Sequence, residues 1–173
     1  MSKREFPEWP MVGVGGVVIE QNRALLVRRA REPALGEWTI PGGLLEVGET
    51  LVAGVAREIQ EETGLIVRVV ELIEALERIF SESGEIRSDV EPTEVAADMR
   101  EAQRIHGARI RPRYHYVILD YLCERVSGEP AISEEISDLA FVLEAELANY
   151  RLTPAATRVL HKAFAMARER KRA

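Results

Sequence analysis

The sequence is poor in cysteine and in aromatic residues, and it contains no long apolar run. Cys123 is the only cysteine among 173 residues, so no intrachain disulfide can form. Its position in a hydrophobic, strand-like segment favours a buried small side chain over a nucleophile. No apolar stretch reaches the roughly 20 residues that a membrane-spanning helix needs, and the first residues show no targeting pattern. We therefore expect a cytoplasmic protein with no membrane partner.

The chain also carries no excess of basic charge, because its 29 acidic residues outnumber its 23 basic ones. The net charge is −6, whereas proteins that bind nucleic acid broadly usually carry a basic surface, so we expect no nucleic-acid partner. The three histidines, His106, His115 and His161, show no shared metal-ligand spacing, which argues against a zinc site.

The remaining composition and the periodicity favour one α/β domain. With 46% hydrophobic residues, the chain can bury a sizeable core. We predict interleaved strands and helices in a layered arrangement. The predicted strands are Val12–Glu20, Arg23–Arg29, Trp38–Ile40, one or two strands within residues 65–79, and Tyr114–Glu124. A tight turn at Gln21-Asn22 is predicted to join the first two. A short helical turn is predicted at Glu144–Asn149, and a final helix is predicted to start at Thr153-Pro154. The predicted buried stripe of that helix is formed by Val159, Leu160, Ala163, Phe164 and Ala167.

Residues 80–113 form a long polar connection between two predicted strands. Within it, Pro92–His106 has the pattern of a helix and Gly107 would stop it. Connections of this length are usually functional or disordered, and the helical pattern favours order. We interpret the segment as a helical insertion within a single domain spanning residues 1–173.

A short helix in the first half carries an unusual concentration of acid. Thr50 suits its N-cap, Gly64 suits the left-handed residue that closes it, and Glu58, Glu61 and Glu62 lie near its C-terminal end. The predicted apolar stripe of this helix is formed by Leu51, Val52, Val55 and Ile59. That end of a helix is already partly negative, so three carboxylates there repel both the dipole and one another. A divalent cation would reverse the sign of this problem, because Mg²⁺ and Mn²⁺ prefer carboxylate oxygens.

The 23 residues from Gly43 to Leu65 resemble the Nudix box. The matching positions are Gly43, Glu49, Arg57-Glu58-Ile59, Glu61-Glu62 and Gly64-Leu65, at the spacing of that motif. Residues 36–42, which include Pro41-Gly42, resemble its usual lead-in. The resemblance implies an α/β/α sandwich with a mixed β-sheet, and hydrolysis of a nucleoside diphosphate linked to another group.

The resemblance also implies a metal site and assigns its residues. Glu58 and Glu62 would be the main ligands of Mg²⁺ or Mn²⁺, Glu61 would contribute directly or through water, and a backbone carbonyl of Gly42 or Gly43 would add an oxygen. Arg57, with Glu49, would orient these carboxylates.

The base that activates water in this family is a box glutamate or one from a later loop. Glu135 is the preferred candidate in this sequence and Glu134 the second, because both lie where the family's loop glutamate often stands. An exposed acidic turn is the alternative interpretation of this pair.

Four arginines are candidates for contact with substrate phosphates. Arg28 and Arg29 end a predicted strand, and the alternation of side chains points one of them inward. Arg111 and Arg113 alternate along the approach to the strand at Tyr114 and share one face. The alternative for the second pair is a solvated basic sheet edge.

An ADP-ribose-like nucleotide sugar is the predicted substrate, partly because the Arg113–Tyr121 segment resembles bacterial and archaeal enzymes of that kind. A house-cleaning nucleoside triphosphate pyrophosphohydrolase is the alternative. A non-enzymatic nucleotide sensor is a third reading, although such sensors tend to lose box glutamates that this chain retains. A homodimer is a common arrangement among such proteins.

Overall fold

The computed structural model describes residues 5–31, 34–81, 84–88 and 112–172. The predicted helix Pro92–His106 lies outside these residues, and so does Arg111. The chain divides into two compact units. The larger comprises Gly13–Ala75 and Leu119–Ala173, and the smaller comprises Met1–Val12 and Leu76–Ile118. Within the described ranges, no helix is long and apolar enough to span a membrane.

The helices and strands follow the predicted order, with additions. The strands are β1 (Met11–Glu20), β2 (Arg23–Arg29), β3 (Trp38–Thr39), β4 (Gly42–Leu44), β5 (Ile66–Ser81), β6 (Gly84–Ser88), β7 (Tyr114–Ser127) and β8 (Ile136–Leu143). The helices are α1 (Leu51–Thr63), a 3₁₀ helix (Glu144–Asn149) and α2 (Pro154–Arg170). The strand order is β3-β2-β1-β7-β5-β6, with β4 paired to β1 and β8 paired to β2.

The predicted hairpin between β1 and β2 is present. Gln21 and Asn22 both have positive φ, 47° and 63°, which is the backbone of the two-residue turns that match the twist of antiparallel strands. Glu20 faces Arg23 across the hairpin.

Strand β8 was not predicted. It pairs antiparallel with β2 over most of that strand's length, with Leu26 opposite Ala140 and Arg28 opposite Asp138. Ser137 and Asp138 are both exposed, so the alternation that marks a half-buried strand is broken near its start. The pairing matters for the site because it brings residues 131–135 to the end of β2.

Helix α1 has both predicted caps. The Thr50 side chain accepts a hydrogen bond from the Ala53 amide, and Gly64 closes the helix at φ 72°. Val55 and Ile59 are fully buried against Val14 on β1. Val52, which the periodicity assigned to the buried stripe, is 52% exposed, so that prediction was wrong.

Helix α2 begins as predicted, with the Thr153 hydroxyl accepting from the Ala156 amide and Pro154 in the first turn. Four residues of its predicted apolar stripe are buried: Val159, Leu160, Ala163 and Phe164. The predicted fifth member, Ala167, is only half-buried.

In the smaller unit, the end of β5 pairs antiparallel with β6. The Phe6 amide donates to the Arg113 carbonyl, and the Arg113 amide donates to the Phe80 carbonyl. Phe80 packs edge-to-face against Tyr114, with ring centroids 6.3 Å apart.

Candidate active site

The C-terminal half of α1 presents three carboxylates in two different environments. Glu58 and Glu62 lie one turn apart and are buried, at 8% and 6% exposure. The Glu61 side chain is 60% exposed. Helix geometry therefore directs two of the three predicted ligands toward the protein and leaves the third at the surface.

Strand β4 holds Glu62 in place. The Gly42 amide donates a hydrogen bond of 2.9 Å to Oε2 of Glu62, and Gly42 pairs with Gly15 on β1. A Cβ atom on Gly42 would lie 2.2 Å from the Val14 carbonyl oxygen, so only glycine lets the backbone lie this close to β1. The pKa of Glu62 is raised to about 7, chiefly by burial; the Gly42 hydrogen bond opposes this rise and the nearby Glu58 charge contributes to it.

Arg57 joins the other carboxylates. Its Nε and Nη2 atoms each donate to one oxygen of Glu49 at 2.9 Å, and Nη1 donates to Glu58 at 2.9 Å and to Glu61 at 3.0 Å. Nη2 also donates to the Leu44 carbonyl at 3.1 Å. The hydrogen bonds from Arg57 lower the pKa of Glu49, whereas burial outweighs the same arginine at Glu58 and raises its pKa. The arrangement allows the orienting role predicted for Arg57, which stays a prediction.

The box glycine faces one of these carboxylates. A Cβ atom on Gly43 would lie 2.5 Å from the carboxyl carbon and from both carboxylate oxygens of Glu58. The missing side chain thus provides the space that the Glu58 carboxylate occupies.

The candidate bases Glu134 and Glu135 lie in the loop before β8, and both form an ion pair with Arg31. Arg31 Nη2 lies 3.4 Å from Glu134 Oε2, and Nη1 lies 3.5 Å from Glu135 Oε1. The Glu134 side chain is 94% exposed and the Glu135 side chain 59%. The charge of Glu135 is among the causes that raise the pKa of Glu58 and of Glu62, so the loop acts electrostatically on the buried pair.

Of the two arginines at the end of β2, Arg29 is the one whose charge acts on the candidate site. Arg28 is exposed and donates from Nε to the Gly36 carbonyl at 2.9 Å. Arg29 is half-buried, and its charge opposes the rise in the pKa of Glu62. Arg113 belongs to the smaller unit, where it forms an ion pair with Glu5 at 2.5 Å and lies 5.4 Å from the centre of the Tyr114 ring. Substrate contact by these arginines stays a prediction.

Sequence reasoning missed two charged residues. Asp120 on β7 is buried at 5% exposure, and a Cβ atom on Gly15 would lie 2.1 Å from its Oδ1. The sequence pointed to Asp120 only as a single acid within the apolar segment Tyr116–Cys123. Arg31 carried no signal of its own, because its glutamate partners lie more than 100 residues away.

Cys123, His115 and His161 lie in environments that favour a structural role. Burial raises the pKa of the Cys123 thiol to about 12, in agreement with the predicted inert side chain. His115 contacts Glu77 at 3.1 Å, and His161 contacts Glu144 at 2.9 Å.

The donor chemistry of α1 fits a hard divalent cation. Glu58 and Glu62 are buried carboxylates with raised pKa values, and the only hydrogen bond to Glu62 from the described residues is that of the Gly42 amide. In the part of the chain that the structure describes, no three acidic, histidine or cysteine side chains converge on a common point. Glu61 is turned to Arg57 and Glu135 to Arg31, so either of them must leave its arginine to act as a third carboxylate ligand.

Comparison with known proteins gives a family match and several relatives. The sequence model described as NUDIX domain matches residues 9–163. The chain is 45% identical over 64 residues to a Methanocaldococcus jannaschii protein named ADP-ribose pyrophosphatase, covering 37% of this chain and 38% of that protein. It is 39% identical over 59 residues to the Mus musculus protein named 8-oxo-dGDP phosphatase NUDT18, covering 34% of this chain and 18% of the relative. The matches thus span less than half of either relative.

A solved structure matches over nearly the whole chain. The crystal structure of a MutT NUDIX hydrolase from Burkholderia pseudomallei superposes with a TM-score of 0.65 and 26% identity, covering 90% of this chain and 98% of that one. The similarity confirms the predicted α/β architecture, with a mixed sheet and flanking helices.

Proposed function

Because the chain belongs to the NUDIX domain family, we propose that it is a divalent-metal-dependent hydrolase. It cleaves the diphosphate bond of a nucleoside diphosphate derivative. ADP-ribose or a similar nucleotide sugar is the proposed substrate, and a homodimer in the cytoplasm is the proposed state.

One observation carries the proposal: two buried glutamates, Glu58 and Glu62, lie side by side at the end of α1. Burying two acids next to each other is costly unless a cation compensates their charges. Arg57 forms an ion pair with Glu58, whereas the hydrogen bond to Glu62 comes from the uncharged amide of Gly42. The charge of Arg29 only partly offsets the effect of burial on Glu62. The protein therefore supplies only part of the positive charge that Glu58 and Glu62 need, and the two carboxylates together form a binding site for a cation.

Glu58 and Glu62 would hold Mg²⁺ or Mn²⁺, with Glu61 and the Gly42 carbonyl as the further proposed ligands. When bound, the cation would neutralise phosphate oxygens and so reduce their repulsion of an incoming nucleophile. The Arg57 guanidinium pairs with Glu49 on one side and with Glu58 on the other, and so keeps Glu58 in position. Arg29 adds positive charge near Glu62.

Glu135 is the proposed general base. Its carboxylate would take the proton of the attacking water. The Glu135 side chain lies in the loop before β8 and is partly exposed, so water can reach it. Hydrolysis of ADP-ribose would add one water across the diphosphate bond and release AMP and ribose 5-phosphate.

The choice of substrate is supported by the relative named ADP-ribose pyrophosphatase. A second candidate is house-cleaning hydrolysis of a damaged nucleotide, the class that includes the predicted nucleoside triphosphate pyrophosphohydrolase. The relative named 8-oxo-dGDP phosphatase favours it. A sensor without activity is disfavoured because Glu58, Glu61 and Glu62 are all present.

The test is a substrate panel with products identified by mass. ADP-ribose, 8-oxo-dGDP and 8-oxo-dGTP are incubated separately with Mg²⁺ or Mn²⁺. Preferred cleavage of ADP-ribose to AMP and ribose 5-phosphate supports the leading substrate, whereas preferred cleavage of an oxidised nucleotide moves the assignment to the second candidate. Cleavage of none of these and of no other diphosphate would overturn the proposal.

A further inference from the structure

Arg31 is the feature from which a further role can be argued. It lies two residues beyond the end of β2 and forms ion pairs with both acids of the loop before β8, at 3.4 Å from Glu134 and 3.5 Å from Glu135. The family resemblance assigned no role to this residue.

The backbone around this contact is fixed independently of the ion pair. The Ala30 amide donates to the Glu135 carbonyl at 3.0 Å, and the Glu135 amide donates to the Ser133 hydroxyl at 3.2 Å. The Cα of Glu135 is thereby anchored beside the end of β2. These backbone hydrogen bonds do not fix the orientation of the Glu135 carboxylate, which depends on its ion pair with Arg31.

The high exposure of the Arg31–Glu135 ion pair distinguishes it from an ion pair with a structural role. The side chains of Arg31 and Glu135 are 58% and 59% exposed, whereas those of Arg57 and Glu49 are 23% and 14% exposed at 2.9 Å. Solvent screens exposed pairs strongly, so they restrain a side chain without contributing much stability. Arg31 can therefore orient Glu135 while leaving it free to change its position.

The loop that carries Glu135 lies against the end of α1. The Ala131 amide donates to the carbonyl of Thr63, the residue after Glu62, at 2.9 Å. After burial, the Glu135 charge is among the causes that raise the pKa values of Glu58 and Glu62, and the positive charge of Arg31 beside Glu135 offsets part of this like-charge repulsion.

We propose that Arg31 is a positioning residue that holds the Glu135 carboxylate at the edge of the Glu58–Glu62 pair, in the orientation in which Glu135 activates water. The proposal rests on the proposed function, because Glu135 is a base only if the chain is a hydrolase. Arg31 itself does not touch the reacting atoms.

The test is a double-mutant cycle on kcat and KM. Arg31→Ala should lower kcat about five- to twentyfold and change KM less than about twofold, since only part of a general base's contribution is lost. Arg31→Lys, which keeps the charge, should recover at least half of the loss. In a Glu135→Gln background Arg31→Ala should have almost no further effect, whereas in a Glu134→Gln background the loss should persist.

Arg68→Ala is the matched control, because the Arg68 side chain is 65% exposed and pairs with Glu124 outside the site. It should leave kcat unchanged. An unchanged kcat for Arg31→Ala, or an equal loss in the Glu135→Gln background, would overturn the positioning role.

A second readout does not depend on activity. The ¹³C NMR signal of the Glu135 side-chain carboxylate should shift in Arg31→Ala and not in Arg68→Ala, because the carboxylate loses the arginine with which it pairs. An unaltered signal would overturn the proposed contact even in a fully active enzyme. If the wild-type protein hydrolyses no diphosphate but the signal shifts as expected, the proposed function fails and the ion pair alone survives.

Discussion

The amide of Gly42 donates a 2.9 Å hydrogen bond to Oε2 of Glu62, which ties the short strand β4 to the last turn of α1. An amide donor stabilises the ionised form of a carboxylate, while burial favours the protonated form. Here burial prevails, and the pKa of Glu62 rises to about 7. The same group that would hold a cation is thus poorly compensated without one, and several expected results depend on this imbalance.

Glu62→Gln should abolish most of the activity without harming the fold. The amide oxygen can still accept from Gly42, but the group no longer carries a charge, so turnover with Mg²⁺ should fall about a hundredfold or more. The free energy of unfolding of the metal-free protein should be equal or slightly higher, because a buried charge beside Glu58 is removed. Steady-state kinetics and urea unfolding check both parts, and near-normal turnover would speak against the metal site.

The stability of the metal-free protein should depend on pH through Glu62. Its folded pKa of about 7 lies above the ordinary value of 4.5, so between these pH values the folded state binds more protons than the unfolded state. Stability from this group is therefore lost as pH rises from 4.5 to 7, by about 3 kcal/mol at most. Urea unfolding of metal-stripped wild type and Glu62→Gln should show the variant gaining relative stability across this range. A pH-independent difference would contradict the raised pKa.

Arg57→Lys should impair both activity and stability, because a single ammonium cannot replace the fork that reaches Glu49, Glu58 and Glu61. We expect kcat to fall about tenfold or more, and the free energy of unfolding to fall by about 1–3 kcal/mol.

Arg125→Lys is the control for that change. The Arg125 side chain is 22% exposed, close to the 23% of Arg57, and it pairs with Glu20 and Glu129 rather than with Glu58 or Glu61. It should lose comparable stability and keep its kcat. Equal kinetic losses in the two variants would mean that Arg57 acts through stability alone.

Gly43→Ala should displace the Glu58 carboxylate, because the added Cβ would lie 2.5 Å from it. We expect kcat to fall about tenfold or more and Mn²⁺ affinity, measured by calorimetry, to weaken. Gly48→Ala is the comparison: Gly48 has φ +90° and no atom within 4 Å of the added Cβ. It should cost stability through backbone strain and leave kcat and Mn²⁺ affinity unchanged, and an unaffected Gly43→Ala would contradict the packing described for Glu58.

The parts of the fold that depend on neighbouring residues could be predicted from the sequence. The turn at Gln21-Asn22, the cap at Thr50, the stop at Gly64 and the start of α2 at Thr153 are decided within a few residues. Motif spacing placed Glu58 and Glu62 on one helix face for the same reason. The wrong prediction that Val52 is buried also came from the local pattern, because the burial of this side chain depends on which residues pack against the first turn of α1.

The contacts that complete the site could not be predicted, because they join distant segments. Gly42 and Glu62 are separated by 20 residues and Arg31 and Glu134 by 103. The second contact exists only because β8 pairs with β2, and the exposed Ser137-Asp138 obscured that strand in the sequence. The burial of Asp120 likewise follows from the close approach of Gly15 on another strand.

The central claim is that the carboxylates at the end of α1 support metal-dependent attack of water on a diphosphate. The direct measurement is the cleavage of ADP-ribose in ¹⁸O-labelled water with Mg²⁺, followed by mass analysis of both products. We predict AMP and ribose 5-phosphate, with one ¹⁸O atom in one of the two, and loss of the reaction in excess chelator and in Glu62→Gln. Cleavage that persists with chelator or in Glu62→Gln, or products without ¹⁸O, would contradict the claim.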